Sequence, residues 1–212
     1  MEPDPRERIR ACYARAAPGY DRAMRIAERL LLGEHRRWAA AQVSGRVVEV
    51  GVGTGLNLPH YPAGTDLVGV DLSPDMIELA RLRLPAVPAG VQVDLRVADA
   101  QALDLADESV DAVVCTYALC TTPDPAAVLT EIRRVLRPRG RLVLVEHGPS
   151  SNALGRAAQR LLEPASVRFQ SDHLLRDPVS LTAQAGLRVL SVERAGRAGV
   201  VQRVVAAKPD GR

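Results

Sequence analysis

The segment Glu49-Val-Gly51-Val-Gly53-Thr-Gly55 constrains the fold of this chain more than any other. It is continuous with Val47-Val48-Glu49-Val50, a short β-branched run that reads as a buried strand. Glycine is needed where a backbone must turn tightly and approach a ligand with no Cβ in the way. A strand that turns in this manner into a helix also aims backbone N–H groups at whatever binds there.

Glycine-rich turns are common in loops, so the surrounding elements carry the weight. Leu67 to Val70 reads as a second strand ending in Asp71. That places a carboxylate about 20 residues beyond the turn, where it can accept both hydrogen bonds of a ribose diol. Ser73 as N-cap and Pro74 at the first helical position then open a helix carrying Met76, Ile77, Leu79 and Ala80, which Pro85 stops. Val91 to Val97 is a third strand, followed by a second acid, Asp99. Val110 to Thr116 is a fourth, and Asp124-Pro125 starts a helix that runs through Leu136 and ends at Pro138-Arg139-Gly140. Arg141 to Glu146 is a fifth strand. Strand and helix alternate, which predicts a parallel, doubly wound α/β sheet.

Both ends differ from this core. Arg6 to Val43 is helical in pattern and is broken at Pro18-Gly19. After the fifth strand the sequence predicts a helix over Asn152 to Leu162, a Pro- and Ser-containing connection, and a helix near Val179 to Ala185. Two β-rich runs follow, Leu187 to Glu193 and Val200 to Ala206, with Gly196 and Gly199 between them, as in a hairpin closing one sheet edge. The expected organisation is one domain over 1–212: a helical lid (1–44), a binding core (45–148), and substrate-side helices with the closing hairpin (149–212).

Composition removes several classes of function. The 212 residues suffice for one ordinary domain, and 47% apolar with 25% charged residues is a globular profile. Aromatics are only 3%, which argues against base-stacking platforms, and a net charge of +3 spread among Arg, Glu and Asp argues against a nucleic-acid partner. Cys12, Cys115 and Cys120 show no CxxC spacing, so the expected compartment is a reducing cytoplasm. His35, His60, His147 and His173 are scattered and form no metal-binding pattern, so no metal site is expected. The N-terminus carries no secretory apolar stretch, and no run approaches the roughly 20 apolar residues of a membrane-spanning helix.

The glycine spacing separates two ligands. Dinucleotide sites use GxGxxG around a pyrophosphate, whereas this turn is GxGxG with Glu49 before the first glycine. A carboxylate there repels pyrophosphate and suits a ligand with a sulfonium and an ammonium group.

The stretches VVEVGVGTG, VGVDLSPDMIELA, VADAQALDLADESVDAVVCTYALC and EIRRVLRPRGRLVLVEH, in that order over about Val47 to His147, resemble the successive motifs of class I S-adenosylmethionine (SAM)-dependent methyltransferases. More narrowly, they resemble the branch containing the quinone-biosynthesis enzymes and the small methyltransferases of phospholipids and alkyl thiols. The resemblance implies a Rossmann-like, mostly parallel seven-stranded sheet with a C-terminal antiparallel hairpin, with SAM as cofactor and S-adenosylhomocysteine as product. It implies that Glu49, Gly51, Gly53 and Gly55 hold the methionine end of SAM and that Asp71 takes the ribose hydroxyls. Leu72 and Met76 would lie against adenine, Asp99 and Ala100 would meet its amino edge, and Thr116 and Tyr20 would close over the methionyl group.

Methyl transfer from a sulfonium is an in-line displacement, so alignment is the enzyme's main contribution. A base is needed only where the acceptor must lose a proton, more for an alcohol or phenol than for a thiol. The acceptor-side candidates are His147 at the end of the fifth strand, Tyr117, and His173 in the following connection, with Cys120 as a lining residue. Three readings stand: a small-molecule methyltransferase acting on a thiol or other heteroatom; a phospholipid N-methyltransferase whose helices around Ile26 to Leu32 and nearby arginines touch the membrane surface; and a non-catalytic SAM- or nucleotide-binding module. A weak fourth option is an NAD-dependent reductase. The chain is expected to act as a monomer or homodimer.

Overall fold

A computed structural model describes residues 4–210 of the chain. The ends of the expected 1–212 domain, residues 1–3 and 211–212, lie outside the described residues. Seven strands form one sheet: β1 (Arg46–Val50), β2 (Asp66–Asp71), β3 (Gln92–Val97), β4 (Val110–Thr116), β5 (Leu136–His147), β6 (Arg188–Ala195) and β7 (Val201–Ala207). Their order is β3-β2-β1-β4-β5-β7-β6. The first five strands pair in parallel, and β7 runs antiparallel between β5 and β6. This is the doubly wound sheet with a closing hairpin that the alternation predicts.

The central strands β1, β2 and β4 and the second half of β5 are buried on both faces, as parallel strands under crossover helices must be, while the edge strands β3 and β6 are largely open. Alternate residues of β1 go to opposite faces. Val48 and Val50 join Leu129 and Ile132 of α5 (Pro125–Val135), with Val179 and Leu181 of α7 (Pro178–Gln184) packed alongside. Val47 joins Ala39 and Ala40 of α3 (Arg36–Ala41) and Ile77 and Ala80 of α4 (Pro74–Arg81).

Local chemistry starts most of these helices where the sequence says. Ser73 Oγ accepts from Met76 N (3.4 Å), Asp124 Oδ1 from Ala126 and Ala127 N (both 3.0 Å), and Asp177 Oδ1 from Val179 N (3.1 Å). Each of these helices carries proline in its first turn, where the missing N–H costs nothing. The N-terminal region forms α1 (Pro5–Ala16) and α2 (Tyr20–Ala27), with Ala17–Gly19 turning between them and a π-helical turn over Glu28–Leu32.

Two boundaries differ from the sequence-based expectation. The Pro138-Arg139-Gly140 turn belongs to β5 rather than separating helix from strand, because Arg139 N donates to Lys208 O and Lys208 N to Gly140 O, both at 3.0 Å. The helix expected to stop at Leu162 is α6 (Ala153–Gln170) and runs through Pro164. It ends at Ser171, which adopts a left-handed conformation with φ 55°. Proline removes one hydrogen bond and crowds the preceding turn. Anchors on both sides of it hold the helix: Gln159 Nε2 donates to Gly148 O (2.8 Å), and Cys12 Sγ lies 3.4 Å from Phe169 O.

Candidate active site

Open α/β sheets bind ligands outside the carboxyl ends of their strands, where strand order reverses. Here β1 sits between β2 and β4, and a cleft enclosing about 730 Å³ of space opened to solvent lies at their C-terminal ends. Val50 and Gly51 after β1, Asp71 at the end of β2, and Thr116 at the end of β4 all line it.

The glycine turn is fixed from below. Gly51 N and Val52 N both donate to Val70 O, at 2.9 and 3.0 Å. Gly51, Gly53 and Gly55 all have positive φ (69°, 55° and 79°), which only glycine adopts freely. Their surroundings differ. A Cβ on Gly51 would stand 2.4 Å from Ala118 Cβ, and one on Gly55 would stand 2.7 Å from Leu58 Cδ1. A Cβ on Gly53 would meet nothing nearer than 4.0 Å. Gly53 therefore leaves open space at the cleft, while Gly55 lies behind the wall and serves packing.

Asp71 is the polar centre of the cleft floor. Its Oδ2 accepts from Gly53 N and its Oδ1 from Ser73 N, each at 2.9 Å, so the side chain ties the two loops together. Burial pushes its carboxyl up, while these backbone N–H groups pull it down. A carboxylate has about four acceptor positions, and backbone groups use two of them. The rest remain available to a ligand.

Nine of the eleven residues expected at the cofactor line this cleft: Tyr20, Gly51, Gly53, Asp71, Leu72, Met76, Asp99, Ala100 and Thr116. Glu49 and Gly55 do not. Glu49 is only 1% exposed and points into the face behind the cleft. Its Oε1 accepts from Asn57 Nδ2 (2.8 Å) and its Oε2 from the Tyr61 hydroxyl (2.9 Å). The same Asn57 Nδ2 donates to Thr116 Oγ1 (2.9 Å), so Glu49 reaches the cleft through Thr116. Burial pushes the Glu49 carboxyl up to about 7, despite the Tyr61 hydrogen bond, the Arg36 charge and the Asn57 hydrogen bond that lower it.

The N-terminal helices form the other wall. Ile9 and Tyr13 of α1 line the cleft with Tyr20, and the Tyr13 and Tyr20 rings meet edge-on with centroids 6.2 Å apart. Arg10 Nε donates to Leu72 O (3.2 Å), and Arg6 Nε pairs with Asp99 Oδ2 at 2.8 Å. Asp21 holds α2 against the glycine turn by accepting from Thr54 Oγ1 (2.6 Å) and pairing with Arg83. Sequence reasoning missed Ile9 and Tyr13. Their one signal was the amphipathic spacing of i and i+4 on a helix. It also missed Gln101, Thr121, Thr122, Pro123 and Val128 on the far wall.

Of the three acceptor-side candidates, only Tyr117 lines the cleft. It has a left-handed backbone (φ 55°), and its buried hydroxyl has no hydrogen-bond partner. Burial pushes its phenol well up, so it is neutral at ordinary pH. His147 and His173 lie outside the lining. His147 Nε2 lies 2.8 Å from Asp172 Oδ1. That is an ion-pair distance, but the oxygen has no aligned hydrogen-bond donor. Burial alone would lower the His147 imidazole, but the Asp172 and Glu146 carboxylates outweigh it and the pKa is raised. His173 is lowered by burial and by Arg176, and its Nδ1 stands 3.6 Å from Glu163. Behind the 117–122 wall the fold also brings Cys120, His147 and Asp172 within 4.8 Å of one another, a grouping their spacing in sequence conceals.

A family model described as a methyltransferase domain matches residues 48–144. A phosphatidylethanolamine N-methyltransferase of Cereibacter sphaeroides is 37% identical over 139 residues, which cover 64% of this chain and 66% of that protein. A demethylmenaquinone methyltransferase of Deinococcus radiodurans is 34% identical over 168 residues, covering 74% of this chain and 68% of that one. A ubiquinone/menaquinone biosynthesis C-methyltransferase of a Geobacter species is 35% identical over 66% of this chain and 63% of its own length. The chain thus spans 63–68% of these curated relatives. Among solved structures, a SAM-dependent methyltransferase of Thermotoga maritima is similar with a TM-score of 0.69 at 25% identity, covering 93% of this chain and 99% of that one. A methyltransferase of Haloferax volcanii, solved with its Trm112 activator, has a TM-score of 0.70 at 20% identity over 96% of this chain and 99% of that one, and shows the shared fold.

Proposed function

Because the chain belongs to the class I SAM-dependent methyltransferases, a family that uses SAM, we propose that the cleft binds SAM and that the protein, in the cytoplasm, methylates a small-molecule acceptor at a thiol or other heteroatom. The observation that carries this reading is the Asp71 carboxylate. It stands on the cleft floor, held by Gly53 and Ser73 N–H groups, with acceptor positions to spare for a ribose diol. The residues fit the cofactor in shape as well, since a Cβ at Gly53 would project into the open space of the cleft.

Bound SAM supplies an electrophilic methyl group on sulfonium. The chain's own residues bind and orient. Asp71 accepts the ribose hydroxyls, Leu72 and Met76 pack against the base, and Asp99 with the Ala100 backbone meets its amino edge. Thr116 and Tyr20 close over the methionyl end, with Gly51 and Gly53 allowing close approach. Glu49 is a positioning residue that sets Thr116 through Asn57. Tyr117, neutral because it is buried, offers the acceptor a hydrogen bond rather than a base. His147 and His173 stand behind the wall and act on the acceptor only through it.

Calorimetry with SAM and S-adenosylhomocysteine, followed by an acceptor panel with methyl-labelled SAM, tests this reading. Absence of saturable heat with either nucleoside would defeat it, and binding without label transfer to any acceptor would favour a non-catalytic module.

A second reading, phospholipid N-methylation at a membrane surface, rests on exposed apolar side chains beside arginines. Ile26, Leu30 and Leu31 project to solvent near Arg22, Arg25 and Arg29, and on α6 Leu161 and Phe169 are 82% and 70% exposed beside Arg160 and Arg168. Apolar residues flanked by arginines suit an anionic bilayer interface. Among the described residues no helix is long and apolar enough to cross a membrane. Sedimentation with phosphatidylethanolamine–phosphatidylglycerol vesicles separates the readings, since only the second requires the chain to pellet.

A further inference from the structure

Behind the cleft wall, three segments far apart in sequence meet at the carboxyl ends of β4 and β5. Cys120 comes from the turn after β4, His147 from the last position of β5, and Asp172 from the connection after α6. One sulfur, one imidazole nitrogen and one carboxylate oxygen from these residues lie within 4.8 Å of one another. We propose that Cys120, His147 and Asp172 form a binding site for a divalent transition ion of the zinc class.

A second, independent observation points to a missing ligand. Among the described residues, eight buried side-chain polar atoms have no hydrogen-bond partner, and all but Arg46 Nε belong to Tyr117, Glu146, His147, Glu163, Asp172 and Gln202. Glu146 and His147 are consecutive on β5, and Gln202 is the cross-strand partner of Glu146 on β7. Glu146 and Gln202 are each 1% exposed. Buried polar groups are nearly always paired, so the orphaned atoms of His147, of its strand neighbour Glu146 and of Asp172 mark an absent partner. Glu146 and Asp172 are acids, and a neutral imidazole nitrogen offers a lone pair, so the set suits a cation.

The donor types select the kind of cation. Thiolate and imidazole together favour zinc and its neighbours over calcium or magnesium, which take oxygen ligands. Bonds of about 2.0–2.3 Å to tetrahedral zinc put its ligand atoms roughly 3.3–3.8 Å apart. The present spacing needs only a small side-chain rotation to reach that. Three protein ligands leave a fourth position open, with the free Glu146 oxygen nearby. On binding, the Cys120 thiol loses its proton to solvent and the thiolate becomes the ligand. A cysteine–histidine–aspartate relay does not explain the grouping. Asp172 meets both the imidazole and the thiol, so the acid lies between the nucleophile and the base it should activate. Cys120 is also buried, closed to any substrate.

The test uses the full chain stripped with chelator and titrated with Co(II), then Zn(II). One equivalent of Co(II) should give visible d–d bands and a near-ultraviolet thiolate-to-cobalt charge-transfer band, and Zn(II) should bleach both, being the tighter binder. Cys120→Ser should abolish the charge-transfer band, and Cys12→Ser, on α1, should keep it. Asp172→Asn should weaken binding by more than the about 10–100-fold typical of losing an outer-shell partner. Circular dichroism of each variant reports folding. No stoichiometric uptake, which would mean that water fills the site, or a charge-transfer band that survives Cys120→Ser in a folded protein, overturns the proposal. SAM calorimetry on the same samples keeps this site and the nucleoside cleft apart, since either can fail alone.

Discussion

Replacing Glu49 by Gln should reverse part of this protein's loss of stability with rising pH. The carboxyl is 1% exposed, and burial raises it from the ordinary 4.5 to about 7. Each factor of ten in proton affinity is worth about 1.4 kcal/mol, so the shift corresponds to about 3 kcal/mol. The sign follows from linkage. A group whose folded pKa is raised binds its proton more tightly in the native state, so its contribution is complete below the unfolded pKa and is lost as pH climbs through the folded one. The wild-type chain should therefore lose about 3 kcal/mol relative to the variant between pH 4.5 and pH 7.5. At about 2–4 °C per kcal/mol for a chain of this size, that is a relative change in Tm of about 6–12 °C. Gln fits the site. Its amide oxygen can accept from Asn57 Nδ2, and its NH2 can donate to the Tyr61 hydroxyl, which turns to accept. Urea unfolding of both proteins across this range measures the difference. Parallel stability curves would refute the reasoning, because they would mean Glu49 is already ionised in the fold.

Asp71→Ala should weaken SAM binding by well over tenfold in calorimetry, since hydrogen bonds to a charged group are worth about 1.5–3 kcal/mol each; unchanged affinity would remove the ribose role. The same substitution frees Gly53 N and Ser73 N, so a modest fall in Tm should accompany it. The glycine turn gives a contrast. Gly53→Val should abolish nucleoside binding by filling the open space at the cleft, with a fall in Tm from its left-handed backbone alone, whereas Gly55→Ala carries backbone strain and a Cβ 2.7 Å from Leu58 together and should lower Tm without entering the cleft. Arg6→Ala should leave Tm within about 2 °C, because its pair with Asp99 is half open to solvent on the arginine side. It should also tighten SAM by releasing Asp99, and weaker binding would show that α1 covers the bound cofactor rather than competing with it.

Much of this architecture is written locally. The β-branched run before Gly51, the acids closing the second and third strands, and the Ser73-Pro74, Asp124-Pro125 and Asp177-Pro178 helix starts each specify their structure within a few residues. The sheet follows from their alternation. Nine of the residues expected around the nucleoside line the cleft for the same reason, since strand ends and the turns after them converge in any parallel sheet of this order. Only the tertiary structure decided that Glu49 faces Asn57 and Tyr61 behind the wall, because the alternation of side chains along β1 shows two faces but not which one the cleft adjoins. It alone carried α6 through Pro164, where hydrogen-bonded anchors on both sides outweigh a local breaker. It alone gathered Cys120, His147 and Asp172, whose meeting depends on the ends of β4, β5 and α6 arriving at one place. Contacts between residues near in sequence are set by backbone geometry and can be read from the chain. Contacts between distant segments exist only once the sheet has brought those segments together.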